Sequence, residues 1–230
     1  MFSDFFKDRS ILITGHTGFK GSWLALWLHE LGAVVTGLAL PPTTAPSHFD
    51  LIRLPGLINH VEGDVRDYDL VRGTLDRTKP EIVFHLAAQA VVRDSYEEPK
   101  TTFDTNIGGT VNILEAMRQC SSVKAAVFVT SDKCYENKEW VWGYRENDPL
   151  GGHDPYSASK GAAEIVCAAY LRSFFAAGGR GPHLGFATAR AGNVIGGGDW
   201  SKDRIIPDCI RALAAKKPIV LRNPHADTIF

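Results

Sequence analysis

Unbroken apolar runs alternate with amphipathic stretches along most of the chain. Ser10–Thr14 is a short apolar run that stops at Gly15. Residues 20–31 then place Trp23, Leu24, Trp27, Leu28 and Leu31 at helical spacing, with Gly32 where a helix stop belongs. Residues 34–40 read as the next buried strand, closed by Pro41-Pro42. The pattern predicts a helix over 67–78, a strand over 82–86 and a long helix over 101–120 with Val111, Leu114 and Met117 along one side. A strand over 125–130, a second long helix over 156–175, a strand over 184–191, a helix over 204–215 and a short closing strand over 219–221 complete the order.

Apolar runs without alternation are strands covered on both faces, and the intervening helices supply the cover. The fold class that follows is α/β: a doubly wound, mostly parallel sheet of Rossmann type. No internal repeat, linker or low-complexity block interrupts it. The stretch 140–154 is long and rich in Gly, Pro and charge, as loops that meet a ligand often are.

Composition then removes several classes of partner. Twenty-five Lys and Arg are balanced by 26 Asp and Glu, with no long run of either sign, so neither nucleic acid nor another polyanion is expected. The four cysteines form no C-x-x-C and the eight histidines show no ligand spacing, so no metal site is predicted. Charges interrupt residues 1–9 before an apolar stretch of about 7–15 residues can form, and no apolar run approaches the roughly 20 residues of a membrane span. Scattered cysteines without an export signal fit a cytoplasmic protein.

Chemistry enters at Thr14-Gly15-His16-Thr17-Gly18-Phe19-Lys20-Gly21, between the first strand and the first helix. In this G-x-x-G-x-x-G spacing Gly15 makes the tight turn, Gly18 lets a pyrophosphate approach and Gly21 lets the helix pack on the sheet. The helix N-terminus offers free N–H groups to the phosphate charge. The end of the second strand, Thr36-Gly37-Leu38-Ala39-Leu40, holds neither a carboxylate for the adenosine ribose nor an arginine for a 2′-phosphate. NAD is favoured over NADP, with weak binding.

Tyr156-Ser157-Ala158-Ser159-Lys160 is a Y-x-x-x-K at the start of the second long helix, so phenol and ammonium share a face. A free tyrosine has a pKa near 10. A nearby Lys160 charge and an oxidised nicotinamide would both favour phenolate, making Tyr156 a proton acceptor while hydride leaves. Lys160 also has the reach to bind the nicotinamide ribose.

These motifs together resemble the extended short-chain dehydrogenases/reductases, in the NAD-dependent epimerase/dehydratase family. Thr130-Ser131-Asp132-Lys133-Cys134-Tyr135, the loop His16-Thr17-Gly18-Phe19-Lys20-Gly21, the stretch 137–147 and the segment Arg190-Ala191-Gly192-Asn193 narrow the resemblance to CDP-glucose 4,6-dehydratases. The resemblance runs from about Arg9 to about Ala226. It implies oxidation of a nucleotide sugar at C4, loss of water across C5 and C6, and return of the hydride to C6, a step of deoxysugar and O-antigen biosynthesis. It further implies Ser131 near the C4 hydroxyl and Asp132 as the acid for the C6 hydroxyl. Lys133 stands where relatives carry a glutamate base. It acts either as a base, which requires a lowered pKa, or as a fixed charge beside the enolate-like intermediate. Asp64 and Val65 match the residues that meet the adenine, although an exposed turn aspartate fits Asp64 too. Leu86, Ala87, Ala88 and Gln89 match the segment beside the cofactor, and Asn106 in Thr105-Asn106-Ile107-Gly108-Gly109-Thr110 has a structural or water-ordering place.

For the substrate side the resemblance offers Asn193 and Arg204, and it implies a homodimer through the helices 101–120 and 156–175. It divides the chain into 1–180, the NAD-binding part with Tyr156 and Lys160, and 181–230, the last core strand with the start of a C-terminal substrate lobe. Asp227-Thr228-Ile229-Phe230 leaves the family pattern. A chain of this length is therefore expected to lack one wall of the substrate site and to leave a sheet edge and apolar surface uncovered. Two alternatives accompany the dehydratase: another nucleotide-sugar 4,6-dehydratase or 4-epimerase, and a catalytically incompetent NAD-binding fragment.

Overall fold

The computed structural model describes residues 4–221. Six strands make one parallel sheet: β1 (Ser10–Thr14), β2 (Val34–Ala39), β3 (Asn59–Glu62), β4 (Ile82–His85), β5 (Ala125–Val129) and β6 (Gly185–Ala189). Their order is β3-β2-β1-β4-β5-β6, which reverses between β1 and β4. Thr14 ends level with Leu38 on one side and His85 on the other. A crevice at the carboxyl ends of the strands, where open α/β sheets take ligands, follows from that reversal.

The helices are α1 (Phe19–Glu30), α2 (His48–Leu51), α3 (Tyr68–Thr78), α4 (Val92–Glu97), α5 (Pro99–Phe103), α6 (Gly109–Arg118), α7 (Pro155–Tyr170) and α8 (Ile205–Ala214). A wide π turn at Asp104–Gly108 joins α5 to α6, and another at Leu171–Phe175 extends α7. Side chains alternate across β1. Ile11 and Ile13 pack with Leu28 and Val35 on one face, and Leu12 joins Leu75, Leu114 and Phe128 on the other. Each such fully buried side chain contributes about 1.5–3 kcal/mol.

Three local differences from the sequence pattern have physical causes. First, α1 turns its small residues Gly21, Ser22 and Ala25 inward with Leu28, leaving Trp23 and Trp27 about half exposed at 46% and 51%. A Cβ at Gly21 would lie 2.1 Å from the Gly15 carbonyl oxygen, so that end of the helix is too close to the β1 loop for a large side chain. Second, residues 219–221 form no strand: their side chains are exposed and no strand neighbours them among the described residues. Third, β3, α2 and α4 carry too little apolar pattern to be read; β3 is a mostly exposed edge strand, and α2 and α4 span four and six residues.

The expected uncovered surface is present. Alternate positions of β6 are exposed, and α8 has no buried residue, with Ile205, Ile206, Ile210 and Leu213 all open. The family-like stretch 222–226 and the divergent 227–230 lie outside the described residues. No helix among those described is long and apolar enough to cross a membrane.

Two buried histidines tie stability to pH. His85 Nδ1 lies 2.7 Å from Thr14 Oγ1, and its Nε2 lies 3.3 Å from Thr110 Oγ1. Thr110 donates its own hydroxyl to the Asn106 carbonyl, so it accepts from His85, which is therefore the neutral Nε2–H form. Burial, then the Lys160 charge, lowers His85 to about 3. Burial and the neighbouring His60 lower His16 to about 4. Below pH 6.5 the unfolded chain takes up protons that these folded rings refuse, so stability present above that pH is lost on acidification. Urea unfolding is expected to show a loss of about 2 kcal/mol between pH 7 and pH 5.5. A flat profile over that interval would show that neither ring is held neutral.

Candidate active site

The β1 loop turns at Gly15, whose φ of 78° suits glycine and whose Cβ would stand 2.7 Å from the Ala87 nitrogen. Thr17 Oγ1 donates to the Leu40 carbonyl (2.8 Å) and fixes the loop to the end of β2. No side chain caps α1 at Gly18, and a Cβ there would meet nothing closer than 3.4 Å. The first N–H groups of α1, at Phe19 and Lys20, face an open cradle.

The other wall is the exit from β4. Leu86 and Ala87 both donate backbone N–H bonds to Thr14 Oγ1 (3.2 Å each). Past Ala88, Gln89 N donates to Asn106 Oδ1 (2.8 Å), while Asn106 Nδ2 donates to the Gln89 carbonyl (3.0 Å) and to Ser159 Oγ (2.8 Å). Asn106 is thus a clamp between the β4 exit and α7. Gln89 Nε2 donates to the Val91 carbonyl, and its Oε1 is buried with no partner.

The third wall combines the end of β5 with α7. Ser131 caps the three-residue turn Asp132–Cys134 by accepting from Lys133 N (3.2 Å), and it donates to Asp132 Oδ1 (3.0 Å). Lys133 is half exposed, and its Nζ lies 3.6 Å from Asp132 Oδ2. α7 begins with Asp154 accepting from Ser157 N (2.9 Å) and Pro155 in the first turn, which fixes where Tyr156 and Lys160 emerge. Both are buried, with Lys160 Nζ 6.0 Å from the Tyr156 ring centroid.

Electrostatics here departs from expectation in one respect. Burial pushes the Tyr156 phenol up, with Asp132 and Asp154 adding to the rise, and this outweighs the hydrogen bond with Ser131 and the Arg204 charge. The Lys160 charge does not bring the phenol down in this state. Lys160 is itself lowered to about 8, by burial and then by the Lys20 charge. Lys20 is lowered too, by burial and then by Arg204, while Asp132 opposes the shift. Lys20, Lys160, Arg204, Asp132, Ser131 and Tyr156 therefore share one electrostatic neighbourhood.

Other sequence-derived candidates stand further out. Asp64 takes Arg66 N on Oδ1 (2.9 Å) and Arg66 Nε on Oδ2 (2.8 Å), which places its carboxyl below the usual range. Its carboxylate is engaged locally, as an exposed turn aspartate would be. Val65 is buried against Gly109. Arg204 sits at the N-terminus of α8, 3.5 Å from Asp199 Oδ2, and Asn193 is exposed on the stretch after β6. Sequence reasoning placed Lys20 among the cofactor-binding residues at the start of the first helix, and it missed His85. The missing signal was the register Thr14↔His85.

The NAD dependent epimerase/dehydratase family matches residues 11–226. The chain belongs to that family. Among relatives, it is 53% identical over 224 residues to a CDP-glucose 4,6-dehydratase of Salmonella typhimurium, covering 97% of this chain and 62% of that enzyme. It is 32% identical to a CDP-paratose 2-epimerase of Salmonella typhi, over 71% of this chain and 53% of that one. Among solved structures, a Thermus thermophilus UDP-glucose 4-epimerase in complex with NAD superposes with a TM-score of 0.71 at 30% identity, over 84% of this chain and 58% of that one. The chain thus spans less than two thirds of the length of these family members.

The residues present fit the cofactor that the family's name states. The uncapped start of α1 and the open space at Gly18 suit a diphosphate. At the β4 exit Gln89 Oε1 is buried without a partner, and on α7 Lys160 is buried. The adenosine end offers less, because no carboxylate follows β2 and Asp64 is engaged with Arg66.

Holding Lys160 buried opposes folding while it is charged. Its folded pKa of about 8 lies below the 10.5 of a free lysine. The penalty is present at neutral pH and is relieved as pH rises from about 8 toward 10.5. Without cofactor, Lys160→Met is expected to be more stable than the wild type at pH 7 by up to about 3 kcal/mol, with the gap closing by pH 10. Thermal melts of both proteins at the two pH values measure this, and a variant that melts lower at pH 7 would contradict it.

Proposed function

We propose that this chain carries the cofactor-binding and catalytic half of a CDP-glucose 4,6-dehydratase, with residues 1–180 forming that half and 181–230 beginning the substrate side. The observation that carries the reading is the placement of Ser131 and Asp132 at the exit of β5, joined by a hydrogen bond of 3.0 Å, with Tyr156 buried in the first turn of α7. The 53% identity to the Salmonella typhimurium enzyme supports the substrate. A 4-epimerase needs the tyrosine but no elimination set, so the Asp132-Lys133 turn speaks for the dehydratase.

NAD when bound would supply a hydride acceptor that returns the hydride within the same turnover. Tyr156 takes the proton from the C4 hydroxyl, with Ser131 beside it. Burial and two carboxylates raise the phenol. A cation brought next to it is what makes the proton transfer favourable. Asp132 donates a proton to the C6 hydroxyl as it leaves as water. The C5 proton passes to Lys133, which stands where relatives carry a glutamate base, half exposed and 3.6 Å from Asp132 Oδ2, and the ammonium so formed faces the enolate-like intermediate. Lys160 holds the ribose side of the nicotinamide, and Arg204 and Asn193 face the nucleotide sugar.

The protein is proposed to work in the cytoplasm, in deoxysugar synthesis for lipopolysaccharide, as a dimer through the helical runs 101–120 and 156–175. Exposed Phe103 and Ile165 on those runs support the dimer. A second reading, an NAD-binding unit without turnover, draws on the open face of α8. Calorimetry separates the two: heat with NAD and none with CDP-glucose favours the second.

Incubation with CDP-glucose and NAD is expected to yield the absorbance of a 4-keto-6-deoxy product. In Asp132→Asn, water loss is expected to fall about a hundredfold or more while C4 oxidation changes little, as general-acid removal requires. Equal slowing of both steps would take Asp132 out of the acid role.

A further inference from the structure

One helical turn beyond Lys160, Glu164 is buried on α7 at 4% side-chain exposure. Burial alone would raise its carboxyl. Hydrogen bonds from Arg190, Thr130 and Thr188 outweigh burial and hold it below the usual range. Arg190 Nη2 donates to Glu164 Oε2 at 2.8 Å and Thr188 Oγ1 donates to the same oxygen at 3.0 Å, while Thr130 donates to Oε1. The far side of the guanidinium reaches elsewhere. Arg190 Nη1 donates to Tyr135 Oη (2.9 Å) and to the Glu146 carbonyl (3.0 Å). Tyr135 in turn stacks on Tyr144 with ring centroids 4.9 Å apart.

The backbone on both sides of Arg190 belongs to the same assembly. Thr130 N donates to the Ala189 carbonyl (2.9 Å) and Asp132 N to the Ala191 carbonyl (3.1 Å). Arg190 therefore lies between the two residues that hold the backbone of the acid turn, and its side chain reaches α7, Tyr135 and the loop at Glu146. The turn itself spans only Asp132–Cys134, too short to fix its own direction. A buried ion pair is a weak source of stability compared with apolar packing, so its value lies in geometry.

We propose that Glu164 and Arg190 are a positioning pair that fixes the Asp132-Lys133 turn and the loop at Glu146 against α7, setting Asp132 in register with Tyr156. The consequence for catalysis rests on the dehydratase reading; the positioning itself does not.

The test uses the full chain with Arg190→Lys, Glu164→Gln and the milder Tyr135→Phe, which removes only the hydroxyl that Arg190 meets. Amide hydrogen exchange across 131–135 is expected to speed up about tenfold in Arg190→Lys and Glu164→Gln and less in Tyr135→Phe, while α6 exchanges as in the wild type. Unchanged exchange at 131–135, or an equal rise in α6, overturns the proposal. If the two charge variants do not fold, Tyr135→Phe decides by the same comparison. With CDP-glucose and NAD, Arg190→Lys is expected to accumulate reduced cofactor. Oxidation should stay within about threefold of the wild type and elimination should fall about tenfold or more. Equal slowing of both steps overturns the catalytic part. A wild-type chain that turns over no CDP-glucose removes the dehydratase reading alone, and exchange then decides the positioning pair.

Discussion

A Cβ at Gly21 would stand 2.1 Å from the Gly15 carbonyl oxygen, and a Cβ at Gly15 would stand 2.7 Å from the Ala87 nitrogen. These two approaches press the first turn of α1, the β1 loop and the β4 exit into one layer, with no side chain between them. The sheet permits this because its order reverses at that point, so the β1 and β4 exits diverge above neighbouring strands. Thr14 then fixes the layer, accepting from Leu86 and Ala87 and donating to neutral His85. The cofactor cradle is thus built from backbone and small side chains, which leaves its position little freedom.

Charge is added to that rigid layer at the expense of stability. Lys160 is buried and lowered, Lys20 sits at a helix N-terminus where the dipole already disfavours a cation, and Arg204 approaches from the opposite wall. Asp132 is the carboxylate that opposes the shift of Lys20 and raises the phenol. Such a cluster is unfavourable while empty and favourable around a diphosphate or a developing oxyanion. Burial, with Asp132 and Asp154 adding to it, raises Tyr156 in spite of the nearby Arg204 charge. The lysine that the Y-x-x-x-K spacing pairs with it lies 6.0 Å from the ring centroid.

The doubly wound sheet was legible because its central strands are apolar without alternation and its glycines sit at strand–helix junctions. The shared face of Tyr156 and Lys160 was legible because four residues make about one helical turn. What escaped was placed by register and by charge. His85 ends an ordinary apolar run, and only its pairing with Thr14 makes it a neutral spacer beneath Lys160. The aromatic pattern of α1 pointed to Trp23 and Trp27, yet close approach to the loop selects the small residues for the inner face. The segment 219–221 had the apolar content of a strand without a neighbouring strand to pair with.

The substrate side is held by a different kind of force. α8 buries no residue, and its N-terminal approach is tied by Arg204–Asp199, Arg93–Asp203 and Lys202–Asp94. The pairs Arg93–Asp203 and Lys202–Asp94, whose basic partners are exposed, contribute about 0–1 kcal/mol each. The cofactor wall is therefore fixed before any ligand arrives, whereas the wall bearing Arg204 is fixed weakly. Between them stands the acid turn, anchored through Arg190 to the rigid side and not to α8. On the reading proposed above, a nucleotide sugar that orders the α8 side meets Asp132 and Tyr156 already in place. In this division binding energy orders the weak wall and leaves the reacting groups in place.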